Sequence, residues 1–389
     1  MKNGLFLVKD GIHDKNTMFP GVSKKVISQI DALNIEKKLS CKHLVLPKPE
    51  GRNPILNMIL ILFGDVYKKI YFDACHYDFV YIRLVLPASR SFMKLLKVIK
   101  KNNQKIKIIY EIPTYPYDKE LKNNLRERVK LFIDKIYRLG FKKYVDKIAT
   151  VSKHDVIFGI PTIKFVNGIS CADIQVRITR IQEQNTINLI AVATFAKWHG
   201  YDRLIEGLKN YYTLGLATKV YIHFVGNGQE LDQYKEIVKK YNLSEKVFFH
   251  GPLFGNELTN VFNMCDIGVC TLGFHRKGIS LSSELKSREY LARGMPIISS
   301  AKIDVLPPDF KYCLYVPEDE SPIDIQAVVH FYNNLVAENN VSKVTSEIRN
   351  FAEKYCEMSF TMKPIVDYIC DDASDKTLCL KISKNNKRA

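Results

Sequence analysis

Residues 188–205 read NLIAVATFAKWHGYDRLI, and this stretch decides the fold. Its first six positions form a short apolar run of strand length, while from Tyr201 to Tyr212 the apolar residues recur at helical spacing. Between them lies a loop holding the chain's single tryptophan together with Lys197, His199 and Gly200. A strand that passes through a loop directly into a helix begins a parallel crossover. The signature recurs downstream. Strands are expected at Lys219–Val225, Val247–His250, Ile267–Thr271 and Pro296–Ser299, alternating with helices at Glu230–Tyr241, Glu257–Met264 and Leu281–Arg293.

Upstream the alternation is fainter but of the same kind. Leu5–Val8, Leu44–Leu46, Phe79–Leu84, Lys107–Glu111 and Lys147–Val151 read as strands. Ser23–Leu33, the basic amphipathic stretch Ser91–Lys100, and Asn123–Leu139 read as helices. Phe165-Val166-Asn167-Gly168-Ile169 reads as a turn in which Asn-Gly supplies positive φ, and a polar stretch follows it, so the linker is placed near 168–187. A chain of 389 residues is too long for one ordinary core. The expectation is therefore an α/β protein of two Rossmann-like domains, the first at 1–170 and the second at 185–350. Residues 351–389 form a C-terminal helix and basic tail that crosses back to the first domain, and the helical stretch Val341–Tyr355 is a candidate for that crossing.

Composition narrows the function. Hydrophobic residues make up 46% and charged residues 25%, globular values that exclude large-scale disorder. The nine cysteines are odd in number and scattered, with no zinc-ligand spacing, which suits free, buried thiols in a reducing compartment. No secretory signal is read at the N-terminus, and the longest apolar run, Ile55–Phe63, is far below the roughly 20 residues of a spanning helix. The expected location is cytoplasmic, or peripheral at the inner face of the cell membrane. The formal net charge of +17 calls for an anionic partner or a heavily solvated surface. No RNP, KH or zinc-finger pattern accompanies it, so nucleic acid is not expected. An anionic membrane surface carrying a lipid-linked acceptor fits better.

Three loops carry the chemistry, all at the expected carboxyl ends of strands, where open α/β sheets bind ligands. The first runs from Thr194 to Gly200, with Lys197, His199 and Arg203 gathered near a helix start that suits a pyrophosphate. The second is Gly226-Asn227-Gly228, where glycines let backbone approach a phosphate or nucleoside; a tight turn without ligand explains it equally well. The third is the basic loop His275-Arg276-Lys277-Gly278-Ile279-Ser280, placed to face a diphosphate. On the helix that follows, Lys286 and Glu289 lie three apart and share a face. They read either as a surface ion pair or as a lysine on the phosphates beside a glutamate on the ribose hydroxyls.

These residues resemble the donor domain of family 4 glycosyltransferases and related bacterial capsule and exopolysaccharide enzymes. The matching blocks are TFAKWHGYDRLI at 194–205, Phe224–Gly228, VFFHG at 247–251, Cys265–Gly268 and, most specifically, SREYLARGMP at 287–296. Phe19-Pro20-Gly21-Val22-Ser23 is similar to the family's N-terminal glycine loop, and YEIPTYPYDKE at 110–120 to a segment of capsule enzymes. The resemblance implies the GT-B architecture, two Rossmann-like domains facing across a cleft. It implies a nucleotide-sugar donor, a UDP-sugar foremost, and retention of anomeric configuration. The acceptor would be a glycan or lipid-linked sugar in cell-surface polysaccharide synthesis. Glu289 would bind the ribose, and Leu253 would lie near the base through its backbone. Thr194, His199, Gly226, Asn227, Gly228 and residues 275–280 would line the donor, while Gly21, Glu111 and Asp118 would lie on the acceptor side. Lys197, Lys286 and Glu289 are the catalytic candidates; the leaving diphosphate would be neutralised by Lys197, His199, Arg276 and Lys286, with no metal and no cofactor. Glu111 and Asp118 are candidate general bases or structural carboxylates. One departure stands out: the family's glutamate eight residues before Glu289 is Leu281 here. It leaves two other readings open, a non-catalytic glycosyltransferase-like subunit and a sugar-nucleotide epimerase of the same architecture.

Overall fold

The structure is a computed structural model that describes residues 1–9, 20–35, 39–47, 53, 56–57, 59–60, 64–67, 70, 76–118, 125–178 and 185–371. The chain divides into two units, which change over between Val166 and Asn167 and again between Phe360 and Thr361.

The first unit is built on a seven-stranded sheet: β1 (Lys2–Val8), β2 (Leu39–Val45), β3 (Phe79–Arg83), β4 (Lys107–Ile112), β5 (Lys147–Thr150), β6 (Val156–Ile157) and β7 (Ile160–Lys164), in the order β2-β1-β3-β4-β5-β7-β6. All pairs are parallel except the β6–β7 hairpin. The strands read as nearly continuous apolar runs because helices cover both faces. One face packs Leu5, Val80, Ile82, Ile108 and Ile148 against Phe92, Leu95, Leu96 and Ile99. Those last four lie on helix α2 (Arg90–Asn102), whose first turn is capped by the Ser89 side chain accepting from the Phe92 N–H. Helix α1 (Pro20–Ile35) and α3 (Leu125–Arg138) complete the wound part.

The second unit holds a six-stranded, all-parallel sheet: β8 (Thr186–Phe195), β9 (Lys219–Gly228), β10 (Val247–Phe249), β11 (Ile267–Val269), β13 (Ile297–Ser299) and β15 (Cys313–Tyr315). A separate two-stranded ribbon pairs β12 (Leu281–Ser282) with β14 (Lys302–Ile303). The order β10-β9-β8-β11-β13-β15 is 3-2-1-4-5-6 in local numbering, the dinucleotide-fold winding with a switch point between β8 and β11. Alternate residues of β8 and β9 split between two cores. Ile187, Leu189, Val220, Ile222 and Phe224 face helices α4 (Tyr201–Thr213), α5 (Leu231–Lys240) and α8 (Ile325–Glu338). Ile190 and Val225 face α6 (Gly255–Met264), α7 (Leu285–Ala292) and α9 (Val341–Tyr355).

Four expectations change. Leu281–Arg293 is not one helix: Leu281 and Ser282 form a strand, and the helix begins at Leu285 because Glu284 takes the N-cap position in an extended conformation. The Asn167-Gly168 turn uses no positive φ; Asn167 is instead pinned to Ser283, whose hydroxyl accepts from its N–H at 3.2 Å and whose carbonyl accepts from its side chain at 2.7 Å. Pro20 and Gly21 open helix α1 rather than a loop, and Phe19 lies outside the described residues. Val341–Tyr355 packs within the second unit, burying Val344, Ile348 and Ala352. The chain rejoins the first unit through α10 (Met358–Thr361) and then α11 (Lys363–Cys370). There the Lys2 ammonium donates to the Ile369 carbonyl at 2.9 Å, and Lys107 donates to the Tyr368 carbonyl at 2.9 Å, so two ammonium groups cap the C-terminal end of α11.

Candidate functional site

The switch point lies between β8 and β11, and the loops that follow these two strands carry most of the candidate donor residues. After β8 the chain makes a short 3-10 turn, Lys197–His199, and enters α4 through Gly200 at φ +66°. After β11 it makes a second short turn, Phe274–Lys277, and leaves through Gly278, also at φ +66°. The two turns interlock. The Leu272 N–H donates to the His199 carbonyl at 2.8 Å, and a Cβ on Gly200 would stand 2.6 Å from the Gly273 nitrogen. Only glycine permits that conformation and that approach together.

Arg276 rivets the pair. Its guanidinium donates to Asp202 at 2.7 and 3.0 Å, to Glu320 at 2.5 and 2.9 Å, and to the Lys197 carbonyl at 2.6 Å. His275 adds a 2.8 Å contact to Glu320, and together the two basic groups hold the Glu320 carboxyl down to about 2. Arg276 is therefore committed to two carboxylates and a carbonyl, which removes it from the charges expected at a diphosphate. Arg203 likewise turns inward, fully buried, onto the carbonyls of Leu272, Ser321 and Pro317.

His199 brings no positive charge either. It is buried, stacks on Tyr201 with centroids 5.5 Å apart, and accepts the Ala196 N–H on Nδ1 at 3.0 Å. Burial, reinforced by the nearby Lys286 and Lys277 ammonium groups, pushes its pKa down to about 2. With Nδ1 accepting, the proton sits on Nε2, so this side chain offers a neutral donor rather than a positive charge.

The positive charge comes from three lysines. Lys197 is exposed on the first turn, and Lys277 lies 3.6 Å over the Trp198 ring. Lys286, on α7, has only 14% of its side chain exposed; it donates to the Tyr201 hydroxyl at 3.1 Å and stands 3.8 Å from Glu284. Burial lowers its pKa below that of an ordinary lysine, and the Glu284 charge opposes the shift. Glu284 is the residue that sequence reasoning missed. Its carboxylate accepts from the Thr271 hydroxyl at 2.6 Å and N–H at 3.1 Å, which ties the end of β11 to the start of α7. Tyr201, Thr271 and Trp198 were likewise not among the expected site residues.

The remaining candidates are more dispersed. Glu289 is partly exposed and paired with Arg293 at 3.2 Å; Arg293 is buried over the Phe262 ring at 3.9 Å, with its Nε and Nη1 donors unpartnered. Gly226 and Gly228 belong to β9 itself, where side chains would collide with the Ala193 and Phe195 carbonyls, so the need for glycine is met by close pairing with β8. Thr194 and Asn227 are exposed and directly opposite each other in that pairing. Leu253 is part-buried against the α6–α7 core, Gly278 has open space around it, Ile279 donates its N–H to the Phe274 carbonyl, and exposed Ser280 accepts from the Lys302 N–H. Among the described residues no group of three His, Cys, Asp or Glu side chains is placed to hold a metal ion.

In the first unit the expected bases are engaged. Glu111 is fully buried and receives Lys25 at 3.1 Å, Gln29 at 3.1 Å, Tyr81 at 3.0 Å and Arg83 at 2.9 Å. Burial alone would raise its pKa; Lys25 and Arg83 overcome that and hold it at about 2. A carboxylate so satisfied and so sealed is structural, not a general base. Asp118 is held low by Arg138, which it meets at 2.8 Å, and Lys135 at 3.4 Å. Gly21 lies in the first turn of α1.

Residues 175–307 match the family described as Glycosyl transferases group 1. No curated protein matches the chain by sequence. Among solved structures the chain is similar to a sucrose-phosphate synthase from Thermosynechococcus elongatus (12% identity, TM-score 0.61), covering 95% of this chain and 99% of that one. It is similar over the same shares to a glycosyltransferase from Rickettsia africae (12%, 0.57) and to Anabaena Alr3699/HepE in complex with UDP and glucose (13%, 0.57). The fold is therefore GT-B, and the stretch that matches the glycosyltransferase family lies within the second unit.

Proposed function

We propose, from a stretch that matches a glycosyltransferase family and sets Lys277 and Lys286 near a neutral histidine, that this chain transfers a sugar from a nucleotide-sugar donor, a UDP-sugar foremost, to a glycan or lipid-linked acceptor in cell-surface polysaccharide synthesis. One observation carries the reading: the interlocked 197–200 and 273–278 turns follow the switch-point strands and hold Lys197 and Lys277, while Lys286 reaches Tyr201 at the start of α4, so three ammonium groups stand on the elements that would face a diphosphate. The Anabaena relative's UDP and glucose support the choice of base.

The mechanism follows from what the side chains can do. Glycosyl transfer from a nucleotide sugar builds negative charge on the departing diphosphate, so groups already in place for that charge lower the barrier without reorganising. Lys286 is suited to it because its ammonium is largely shielded from water and held by Tyr201 and Glu284. Lys197 and Lys277 add charge from the rim, and the His199 Nε2–H donates without competing for the acceptor's proton. These ammonium groups would make a metal unnecessary. Glu289 would accept from the ribose hydroxyls, with Leu253 beside the base. Retention is the expectation that the resemblance carries.

The non-catalytic alternative draws on Leu281, which lies in the β12 strand and supplies no carboxylate. Glu284, three residues on, places one beside Lys286 instead, and this favours an active enzyme. The deciding experiment is a thermal-shift panel of UDP, GDP, CMP and TDP with and without magnesium, followed by UDP-sugar turnover in wild type and Lys286→Met. A selective, metal-independent shift with turnover lost in the variant is expected. A shift without turnover on any acceptor or water would leave a binding subunit, conversion of the donor sugar without acceptor would indicate an epimerase, and no shift at all would remove the donor site.

A further inference from the structure

Helix α3 carries two apolar stripes where folding needs one. Leu131 and Ile133 point into the first unit beside buried Asp134. On the other side Leu125, Phe132, Ile136 and Leu139, the last just past the helix end, are 77%, 66%, 55% and 62% exposed. At about 100° per residue these four positions fall within about 60° of one another, and that arc lies opposite the buried set. Single exposed apolar residues are ordinary, but four aligned over the length of one helix mark a contact surface.

The charges around the stripe say what covers it. Both acids of the helix, Glu127 and Asp134, lie on the inward half. Arg128 and Lys135 flank the stripe on its outer edge, and exposed Lys142 and Lys143 continue from its end. Lys135 is drawn to Asp118 at 3.4 Å, so the unpaired positive charge beside the strip comes foremost from Lys142 and Lys143, and an apolar strip that runs into exposed cations is complementary to a lipid surface with anionic headgroups. A second copy of this helix would bring like charges together, and a helical partner would have to be acidic. We propose that the outer face of α3 docks the protein on an anionic membrane, Phe132, Ile136 and Leu139 entering the interface while Lys142 and Lys143 meet lipid phosphates. This goes beyond the donor-site reading and does not depend on it.

The test is flotation with vesicles of phosphatidylcholine alone or with 30% phosphatidylglycerol. Wild type should float with the anionic vesicles and not with the neutral ones. The variant F132S/I136S/L139S should lose at least tenfold in partitioning, with melting temperature and UDP-induced thermal shift unchanged because all three side chains are exposed. The variant K142Q/K143Q should lose roughly 25-fold, at about fivefold per basic residue, and the loss should vanish at high salt. Equal flotation of wild type and both variants, or none by wild type, would overturn the proposal. So would a wild-type dimer that the serine variant converts to monomer, since the stripe would then belong to a second copy. Loss of the UDP shift in wild type with flotation intact would count against the donor site alone.

Discussion

Lys286 reaches the Tyr201 hydroxyl from a helix that begins only one residue earlier, and its charge is balanced against burial by a single carboxylate, Glu284. Lys286→Met should therefore cost about 10²–10³ in kcat, the scale of one preorganised group at a developing negative charge. Because burial lowers the Lys286 pKa and Glu284 raises it, the alkaline limb of UDP affinity should fall below the ordinary lysine value of 10.5. Glu284→Gln should move that limb to still lower pH; an unchanged limb would mean that another group titrates. His199 predicts the opposite kind of dependence. Its pKa is about 2 in the fold against an ordinary 6.5, so the unfolded chain binds the extra proton first. Its contribution is thus neutral above pH 6.5 and destabilising as pH falls below it, by about 1.4 kcal/mol per pH unit. His199→Gln should flatten that part of the slope, read from urea unfolding at pH 5 and pH 7. At this scale the sequence showed which residues are basic but not which are free. Arg276 and Lys277 are neighbours in the chain with opposite fates, because Arg276 meets carboxylates 74 and 44 residues away while Lys277 meets a ring. Glu111 stood as either a general base or a structural carboxylate, because nothing local reveals the four donors that close over it.

The interlocked turns behave as one element. Gly200→Ala would put a methyl against Gly273 and force a left-handed φ on alanine, so a loss of about 1–3 kcal/mol is expected together with a weaker UDP shift. Arg276→Ala should act similarly by cutting three cross-links, whereas Lys277→Ala should change stability by less than about 0.5 kcal/mol and weaken only nucleotide binding. If Lys277→Ala proved as destabilising as Arg276→Ala, the division into rivet and rim would be wrong. Most strands and helices of the second unit were legible because strand-loop-helix periodicity is a local property. The start of α7 was not: Leu281-Ser282 owes its strand to pairing with Lys302-Ile303, and only that pairing moves the helix start to Leu285 and brings Glu284 into the site. The β6–β7 hairpin escaped for a similar reason, since β6 has only two residues and carries no period.

The second unit is one unbroken stretch, Asn167–Phe360, while the first is completed by Thr361–Asp371. A fragment of residues 167–360 should therefore fold alone and keep the UDP shift of the full chain. Ending the chain at Phe360 should instead unfold the first unit, because it removes buried Met362, Ile365 and Ile369, at about 2–5 kcal/mol for each such side chain. Differential scanning calorimetry should then show the nucleotide-sensitive transition retained and the other lost; two intact transitions would show that α11 is dispensable. The hydrophobic periods set the two-sheet plan, but no pattern in residues 363–370 tells which sheet they join. That belongs to Lys2 and Lys107, whose ammonium groups wait at the far end of the sequence. The same arrangement orders events on the ribosome. At 5–20 residues per second, the first 166 residues would emerge and then stand incomplete for about 10–40 s while roughly 200 more are made. The later-synthesised unit is thus the first that can reach its native state, and the earlier one is left as a client for chaperones until its last helix arrives.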